Sequence, residues 1–443
     1  MPSLVAFDLE TTGLNPKRDA IIEIGAIRFN EKRVEDEFSM LINPGRSIPP
    51  FITQLTGISN EMVRSAPNIH DVIGEFEAFV GDAPVIGHNV RFDLGFVQRY
   101  DLLKQNSVID TYEMAAVLLP SAGRYKLGAI SQLLGIPLRN AHRALDDARA
   151  TQGVFARLYE AAEGLPLDLV AEITRLSEGL DWDAEWVFQQ IMRSRAKEGI
   201  SAKNVGGSTR GPLFASRENE KYEPLQPVSD PIQLDPEEVS SVLEYGGAFS
   251  NYFEHYEYRS EQVEMLQVIA DAFSNSRHFM IEAGTGVGKS FAYLVPAALW
   301  AVQNNTRVVI STNTINLQDQ LIKKDIPDLA AALDIDLRAS VMKGRSNYLC
   351  PRLLGILRRR GPRTKEEMRV LAKILVWLQE NQSGDRAEIN LTGPNERAVW
   401  RRVSAEDDAC TAETCMKHTG GACPFNQAKQ ASQSAHILIV NHA

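Results

Sequence analysis

Cysteine is scarce in this chain, with four residues in 443, all between Cys350 and Cys423. In a reducing compartment that confinement suggests one metal or cluster site rather than disulfides. Long apolar runs are missing as well. The longest, Phe291 to Val302, is too short to span a bilayer and contains Pro296, so no membrane anchor is expected. The opening residues lack a basic stretch and meet an acid at Asp8, which does not read as a signal peptide, so a cytoplasmic location is expected. Positive charge is in deficit. A formal net charge of −10 argues against a uniformly basic nucleic-acid coat, leaving local patches or acid-bound metals as ways to hold a phosphodiester. No internal repeat or heptad run is visible.

What is present is enough chain for two or three domains, with 44% apolar and 23% charged residues, the balance of a soluble globular protein. Leu4 to Phe7, Ile21 to Phe29 and Glu37 to Ile42 read as three successive strands, a meander at one edge of a sheet. Helical spacing follows at Ile69 to Val80 and Phe92 to Leu103, with short strands at Pro84 to Ile86 and Val108 to Asp110. The expectation is an α/β sandwich on a mixed sheet. From Glu198 to about Ser240 periodicity gives way to Gly, Ser, Pro and charge, as in Gly206-Gly207-Ser208-Thr209, which reads as a linker. Periodic structure resumes near Gln262, with a strand expected at His278 to Ile281 and a helix from Lys289.

The first chemical signal is Phe7-Asp8-Leu9-Glu10-Thr11-Thr12-Gly13. Strand alternation places both acids on one face at the end of an apolar strand, where the following turn leaves them open to a ligand. His88-Asn89-Val90-Arg91-Phe92-Asp93 adds a third acid at a helix start, and His142-Arg143-Ala144-Leu145-Asp146-Asp147-Ala148 adds a histidine and two more. On an ideal helix a five-residue offset separates side chains by roughly 140°. His142 and Asp147 therefore meet only if His142 precedes the helix, and Asn140 is a candidate N-cap that would put it there.

Together these motifs resemble the DnaQ-type exonuclease family over about residues 3 to 162. The resemblance implies a ribonuclease H-like fold, with Asp8, Glu10, Asp93 and Asp147 as metal ligands and His142 as general base. Four converging carboxylates suit two Mg²⁺ or Mn²⁺ ions, and histidine suits proton removal from water near neutral pH. The implied reaction is release of mononucleotides from a 3′ end. Leu55-Thr56-Gly57-Ile58 resembles the family's loop against the terminal nucleotide, or is a simple turn.

Ala283-Gly284-Thr285-Gly286-Val287-Gly288-Lys289-Ser290 has the form of a phosphate loop, with Ala283 in place of the first glycine. Here Gly284, Thr285, Gly286, Val287 and Gly288 would cradle the phosphates of ATP, Lys289 reach the β and γ groups, and Ser290 hold Mg²⁺. Tyr258 to Gln262 resembles a helicase adenine-reading motif with Gln262 as base contact, and Val308 to Thr314 a motor strand leading to a DNA-contacting loop or an ordinary buried strand. With Lys343 to Cys350 and the terminal Ile439-Val440-Asn441-His442, the segment from about 235 resembles the DinG branch of XPD-like helicases. That resemblance implies a partial RecA-like domain in which Cys350, Cys410, Cys415 and Cys423 bind a [4Fe–4S] cluster in an insert at about 343–425. Zinc remains open, because four thiolates also bind it.

The expected division is 1–162 exonuclease, 163–240 helical segment and linker, and 241–443 partial motor. No Asp-Glu-Ala-His motif follows, so this polypeptide is expected to be truncated within its first motor domain and unable to unwind DNA by itself. Arg358-Arg359-Arg360 and Arg401-Arg402 read either as phosphate contacts to a single strand or as solvated faces. Three functional readings stay open: a DNA 3′-end exonuclease fused to part of a helicase, acting on single strands or free 3′ ends; an RNA-directed exoribonuclease; and a nucleic-acid-binding scaffold with vestigial catalysis.

Overall fold

The computed structural model describes residues 2–30, 33–138, 141–197, 223–381, 383–406, 410–419 and 422–441. Two compact units emerge: Met1–Leu213 with Leu353–Val403, and Phe214–Arg352 with Ser404–Ala443.

The first unit is built on a five-stranded sheet ordered β3-β2-β1-β4-β5, comprising β1 (Leu4–Thr11), β2 (Ile21–Asn30), β3 (Arg33–Leu41), β4 (Val85–Gly87) and β5 (Val108–Asp110). β1 to β3 form the antiparallel meander, while β4 and β5 run parallel to β1. The central strand is buried on both faces, as a strand covered by helices must be, whereas edge strand β3 is largely exposed and charged. Around the sheet lie α1 (Pro50–Thr56), α2 (Ile69–Val80), α3 (Arg91–Val97), α4 (Thr111–Leu118), α5 (Ala144–Glu163), α6 (Leu167–Ser177) and α7 (Glu185–Lys197). Phe7, Phe76, Val85 and Phe96 centre one core cluster. α2 has the expected bounds and opens with an Asn68–Asp71 capping box. α3 is shorter than the expected Phe92 to Leu103, because the chain tightens into a 3₁₀ turn at Gln98–Tyr100 and Asp101 turns left-handed at φ 64°.

Three more helices belong to this unit: α8 (Pro351–Arg360), which begins at the unit boundary, α9 (Lys365–Glu380) and α10 (Gly393–Val403). This departs from the expected division, which assigned residues 353–403 to the motor as part of a cysteine-bounded insert. The reason is physical. α9 carries apolar residues around much of its surface, with Met368, Leu371, Ile374, Leu375, Trp377 and Leu378 all buried, and such a helix must be enclosed. The arginine runs are likewise not simply solvated. Arg358 pairs with Glu172 at 2.6 Å, while Arg360 and Arg402 both pair with Glu367, at 2.9 and 2.5 Å.

The second unit holds a three-stranded parallel sheet ordered β6-β8-β7, from β6 (Val308–Thr312), β7 (Ala339–Met342) and β8 (Ile437–Asn441), with helices at Ser260–Asn275 and Lys289–Gln303. The strand expected at His278 to Ile281 does not form. Among the described residues no strand pairs with that run, its backbone groups have no ladder, and Met280 is 99% exposed. Residues 223–235, within the expected linker, contain neither helix nor strand. Residues 198–222, including Gly206 to Thr209, lie outside the described residues, as do Asn140 and His442.

Candidate active site

Asp8 and Glu10 occupy the last turn of the pleat in β1, opposite Gly25 and Glu23 of β2. On its other side β1 pairs with β4 only through Val5 and Ala6. Beyond Gly87 the β1 edge therefore lacks a strand, and the Leu9 N–H donates instead to Asp93 Oδ1 at 3.2 Å. That bond draws the first turn of α3 against the acids. Asp93 is buried, in keeping with an acid at a helix N-terminus.

The fourth acid comes from α5. Arg143 is its N-cap but supplies no side-chain cap, so His142 does precede the helix, in a left-handed conformation at φ 67°. Its backbone N–H donates to Asp147 Oδ2 at 3.1 Å, folding the lead-in back over the first turn. One ligand atom from each of Glu10, His142 and Asp147 lies within 4.8 Å of the others, an arrangement able to hold a metal ion. Asp146 instead pairs with Arg149 at 3.2 Å, which separates the roles of the two adjacent acids.

Crowding alters the acids' proton affinities. Burial, then the nearby Asp93, Asp147, Glu10 and Glu23, push Asp8 well above the ordinary carboxylate range. Burial, Asp147 and Glu23 raise Glu10 to about 8, partly opposed by Arg143. Burial raises Asp93 against the opposing Leu9 hydrogen bond, and burial takes Asp147 up to about 6. Such a cluster retains protons until cations replace them, and its all-carboxylate donors with one imidazole suit hard divalent ions.

Three residues that sequence reasoning passed over set this geometry. Glu23, an acid inside the apolar run Ile21-Ile22-Glu23-Ile24, is buried and accepts from Arg143 Nη2 at 2.6 Å and from the Ala144 N–H at 3.0 Å. It thereby pins the N-terminus of α5 to the sheet, and its polar identity within an apolar strand was the available signal. Gly25 permits the contact, since a Cβ there would meet the Leu145 nitrogen at 2.1 Å. Asp110 caps α4 and accepts from the Asn89 and Val90 N–H groups at 2.9 and 3.2 Å, fixing the residues that lead into α3. Burial raises its pKa to about 7. His88 is internal: its ring nitrogens lie 2.9 Å from Thr111 Oγ1 and 2.7 Å from the Tyr125 carbonyl, and burial lowers its pKa to about 4. Leu55 to Ile58 is the end of α1, closed by Gly57 at φ 74°, with Leu55 and Phe51 exposed.

Residues 5–155 match the family model described as Exonuclease. The whole chain aligns with 3′-5′ exonuclease DinG of Bacillus subtilis (strain 168), 33% identical over 446 residues covering 99% of this chain and 47% of the relative. Over nearly its whole length the chain is similar to DinG. The corresponding protein of Staphylococcus aureus (strain USA300) is 30% identical over 454 residues, covering 100% of this chain and 47% of that protein. The chain thus spans about half the length of the curated relatives it matches. Among solved structures, exonuclease X in complex with 5′ overhanging duplex DNA aligns with 35% of this chain and 91% of its own, at 25% identity and a TM-score of 0.32. The first unit is α/β and contains the residues that match the exonuclease model.

In the second unit, Gly286 and Gly288 take φ values of 89° and 83°, a left-handed backbone that glycine adopts without strain. Lys289 Nζ donates to the Ala283 and Gly284 carbonyls at 2.9 and 3.1 Å, lying across the loop it closes. Gln262 is buried and donates from Nε2 to the Gly288 carbonyl at 2.8 Å, so its amide supports the loop. Thr285 and Val287 lie in the turn between them. The four cysteines come together. Burial and the proximity of Cys423, Cys410 and Cys350 push the Cys415 thiol up to about 12. Among the described residues no helix is long and apolar enough to cross a membrane.

Proposed function

We propose that the first unit hydrolyses terminal phosphodiesters of DNA in the 3′→5′ direction. The observation that carries this reading is the convergence of Asp8, Glu10, Asp93 and Asp147, with His142 beside them, at the open end of β1. The carboxylates would hold two divalent ions, Mg²⁺ or Mn²⁺. When bound, these supply activation of the attacking water and stabilisation of the leaving 3′-oxygen. The chain's own part is then specific. Asp93 and Asp147 are fixed by backbone bonds, so the ligand cage is held before substrate arrives. Glu23 fixes the α5 N-terminus and through it His142, whose ring accepts the proton from water at the phosphorus. The name and activity of the DinG relatives support the same reading.

The second unit's loop at residues 283–290 supports binding of ATP phosphates, with Lys289 and Ser290 as the phosphate and Mg²⁺ contacts and Gln262 beside them, in a partial RecA-like helicase domain. Cys350, Cys410, Cys415 and Cys423 form a donor set that fits a [4Fe–4S] cluster. Burial and the neighbouring cysteines raise the proton affinity of Cys415, and closely set thiols are stabilised as thiolates by a cationic centre.

The test uses single-stranded DNA and RNA labelled at the 5′ end, with Mg²⁺ or with chelator. Stepwise shortening of DNA that requires Mg²⁺ is expected. Equal activity in chelator, or initial release of the 5′ label as mononucleotide, would overturn the mechanism, and preference for RNA would replace the substrate.

A further inference from the structure

Helices α8 to α10 lie far along the chain from the acids, yet they grip the element that positions Asp93. Arg369 of α9 donates from Nη1 to Glu113 Oε1 of α4 at 2.9 Å, and its guanidinium lies 6.0 Å from the centre of the Tyr112 ring. The other oxygen, Glu113 Oε2, accepts from the Trp182 indole at 2.9 Å. Trp182 sits between Asp181 and Asp183, and both acids hold Arg91, the first residue of α3, with Nε to Asp183 Oδ2 at 2.8 Å. The Asp183 carbonyl also accepts the Asp110 N–H at 2.9 Å, and Asp110 in turn binds the Asn89 and Val90 N–H groups. Arg369 is thus joined to the start of the Asp93 helix through Glu113 and the 181–183 loop.

A second grip holds the far end of α4. The Asn390 backbone N–H donates to the Pro120 carbonyl at 2.8 Å and its side chain to the Ala122 carbonyl at 2.6 Å, while Ser121 Oγ donates to the Glu388 carbonyl at 2.6 Å. Lys373, fully buried, binds the Asn390 carbonyl at 2.9 Å and Glu396 at 3.0 Å. Its ammonium lies 5.1 Å from the Tyr125 ring centre, and the Tyr125 carbonyl meets His88. Buried polar networks with matched partners fix a single arrangement, because every alternative leaves an unpaired charge.

We propose that residues 353–403 are a positioning brace for the nuclease centre, and that Arg369 and Glu113 are positioning residues acting on Asp93 through Trp182 and Arg91. The inference rests on the proposed nuclease reading, in which Asp93 is a metal ligand. The contacts of Arg369 are with Glu113, Tyr112 and Glu396, none of them a proposed metal ligand. Its effect is on the cage, so it belongs in metal affinity rather than in substrate affinity.

The experiment measures Mn²⁺ binding to the full chain by electron paramagnetic resonance of free Mn²⁺, taking the binding lost in Asp93→Ala as the site signal. Far-UV circular dichroism and melting are recorded alongside. Arg369→Ala is expected to weaken that binding about tenfold, as loss of outer-shell support does. DNA shortening should need correspondingly more Mn²⁺, with KM for DNA unchanged, and Arg369→Lys should recover part of the affinity. Glu113→Gln, nearly isosteric, gives the same reading if Arg369→Ala does not fold. Unchanged Mn²⁺ affinity in folded Arg369→Ala, or in Glu113→Gln, overturns the brace while leaving the nuclease reading intact. A wild-type chain without an Asp93-dependent Mn²⁺ site overturns both.

Discussion

Glu10 illustrates how a residue's surroundings rather than its type set its chemistry. An ordinary glutamate loses its proton near 4.5, whereas burial and neighbouring acids hold Glu10 protonated to about 8. Its folded-state value is raised, so the stabilising contribution is full below about 4.5 and is lost as pH rises through 8. Metal-free protein should therefore melt several degrees lower at pH 8.5 than at pH 5.5, with Asp147, raised to about 6, acting in the same direction. Mg²⁺ should restore the melting temperature at the higher pH, and Glu10→Gln should flatten the metal-free profile. A melting temperature that rises with pH in chelator would count against the acid cluster. At the same scale, His142→Ala should slow DNA shortening by about 10²–10⁴-fold and change its pH profile, since the general base is removed. Replacing Asp8, Glu10, Asp93 or Asp147 with Ala should abolish most activity.

Among the elements, the contact between β2 and the start of α5 is the tightest constraint on the site. Gly25→Ala would place a methyl group 2.1 Å from the Leu145 backbone nitrogen, and backbone cannot swing aside as a side chain can. The substitution should cost about 3 kcal/mol, visible as a lower urea midpoint, and displace His142 and Asp147 together. The α9 to α10 contact makes a different prediction. Lys373 and Glu396 are both buried, so Lys373→Met removes one of the two cations beside Glu396, the other being Arg369 at 3.3 Å, and should cost about 3 kcal/mol. The double variant Lys373→Met/Glu396→Leu should recover much of that loss, because both charges of the pair are gone and Arg369 keeps Glu113. A double variant less stable than the single one would contradict this account.

Taken whole, the molecule interleaves two units along one chain, since residues 353–403 belong to the first and the segments before and after them to the second. A division by sequence order would cut α9 away from the first unit and expose its apolar surface. The second unit carries its own prediction. ATP analogue binding by the full chain should be lost in Lys289→Ala without change in DNA shortening, measured by fluorescence titration. Anaerobic purification with iron, acid-labile sulfide and zinc analysis tests the cysteines; stoichiometric zinc without sulfide would replace the cluster.

The sequence alone determined the strand meander, the bounds of α2, the spacing that places Asp8 and Glu10 on one face, and the phosphate-loop pattern, because strand alternation, capping and glycine turns are local. It also indicated the lead-in position of His142, although the cap proved to be Arg143. It could not supply the partners of Glu23, Asp110 and Glu113, which lie 120, 21 and 256 residues away at Arg143, Asn89 and Arg369. Nor could it show that His278 to Ile281 stays unpaired or that α9 is enclosed by the first unit. Those outcomes depend on which backbone groups and apolar faces find partners in space. Pairing across such distances is decided only when the chain closes on itself.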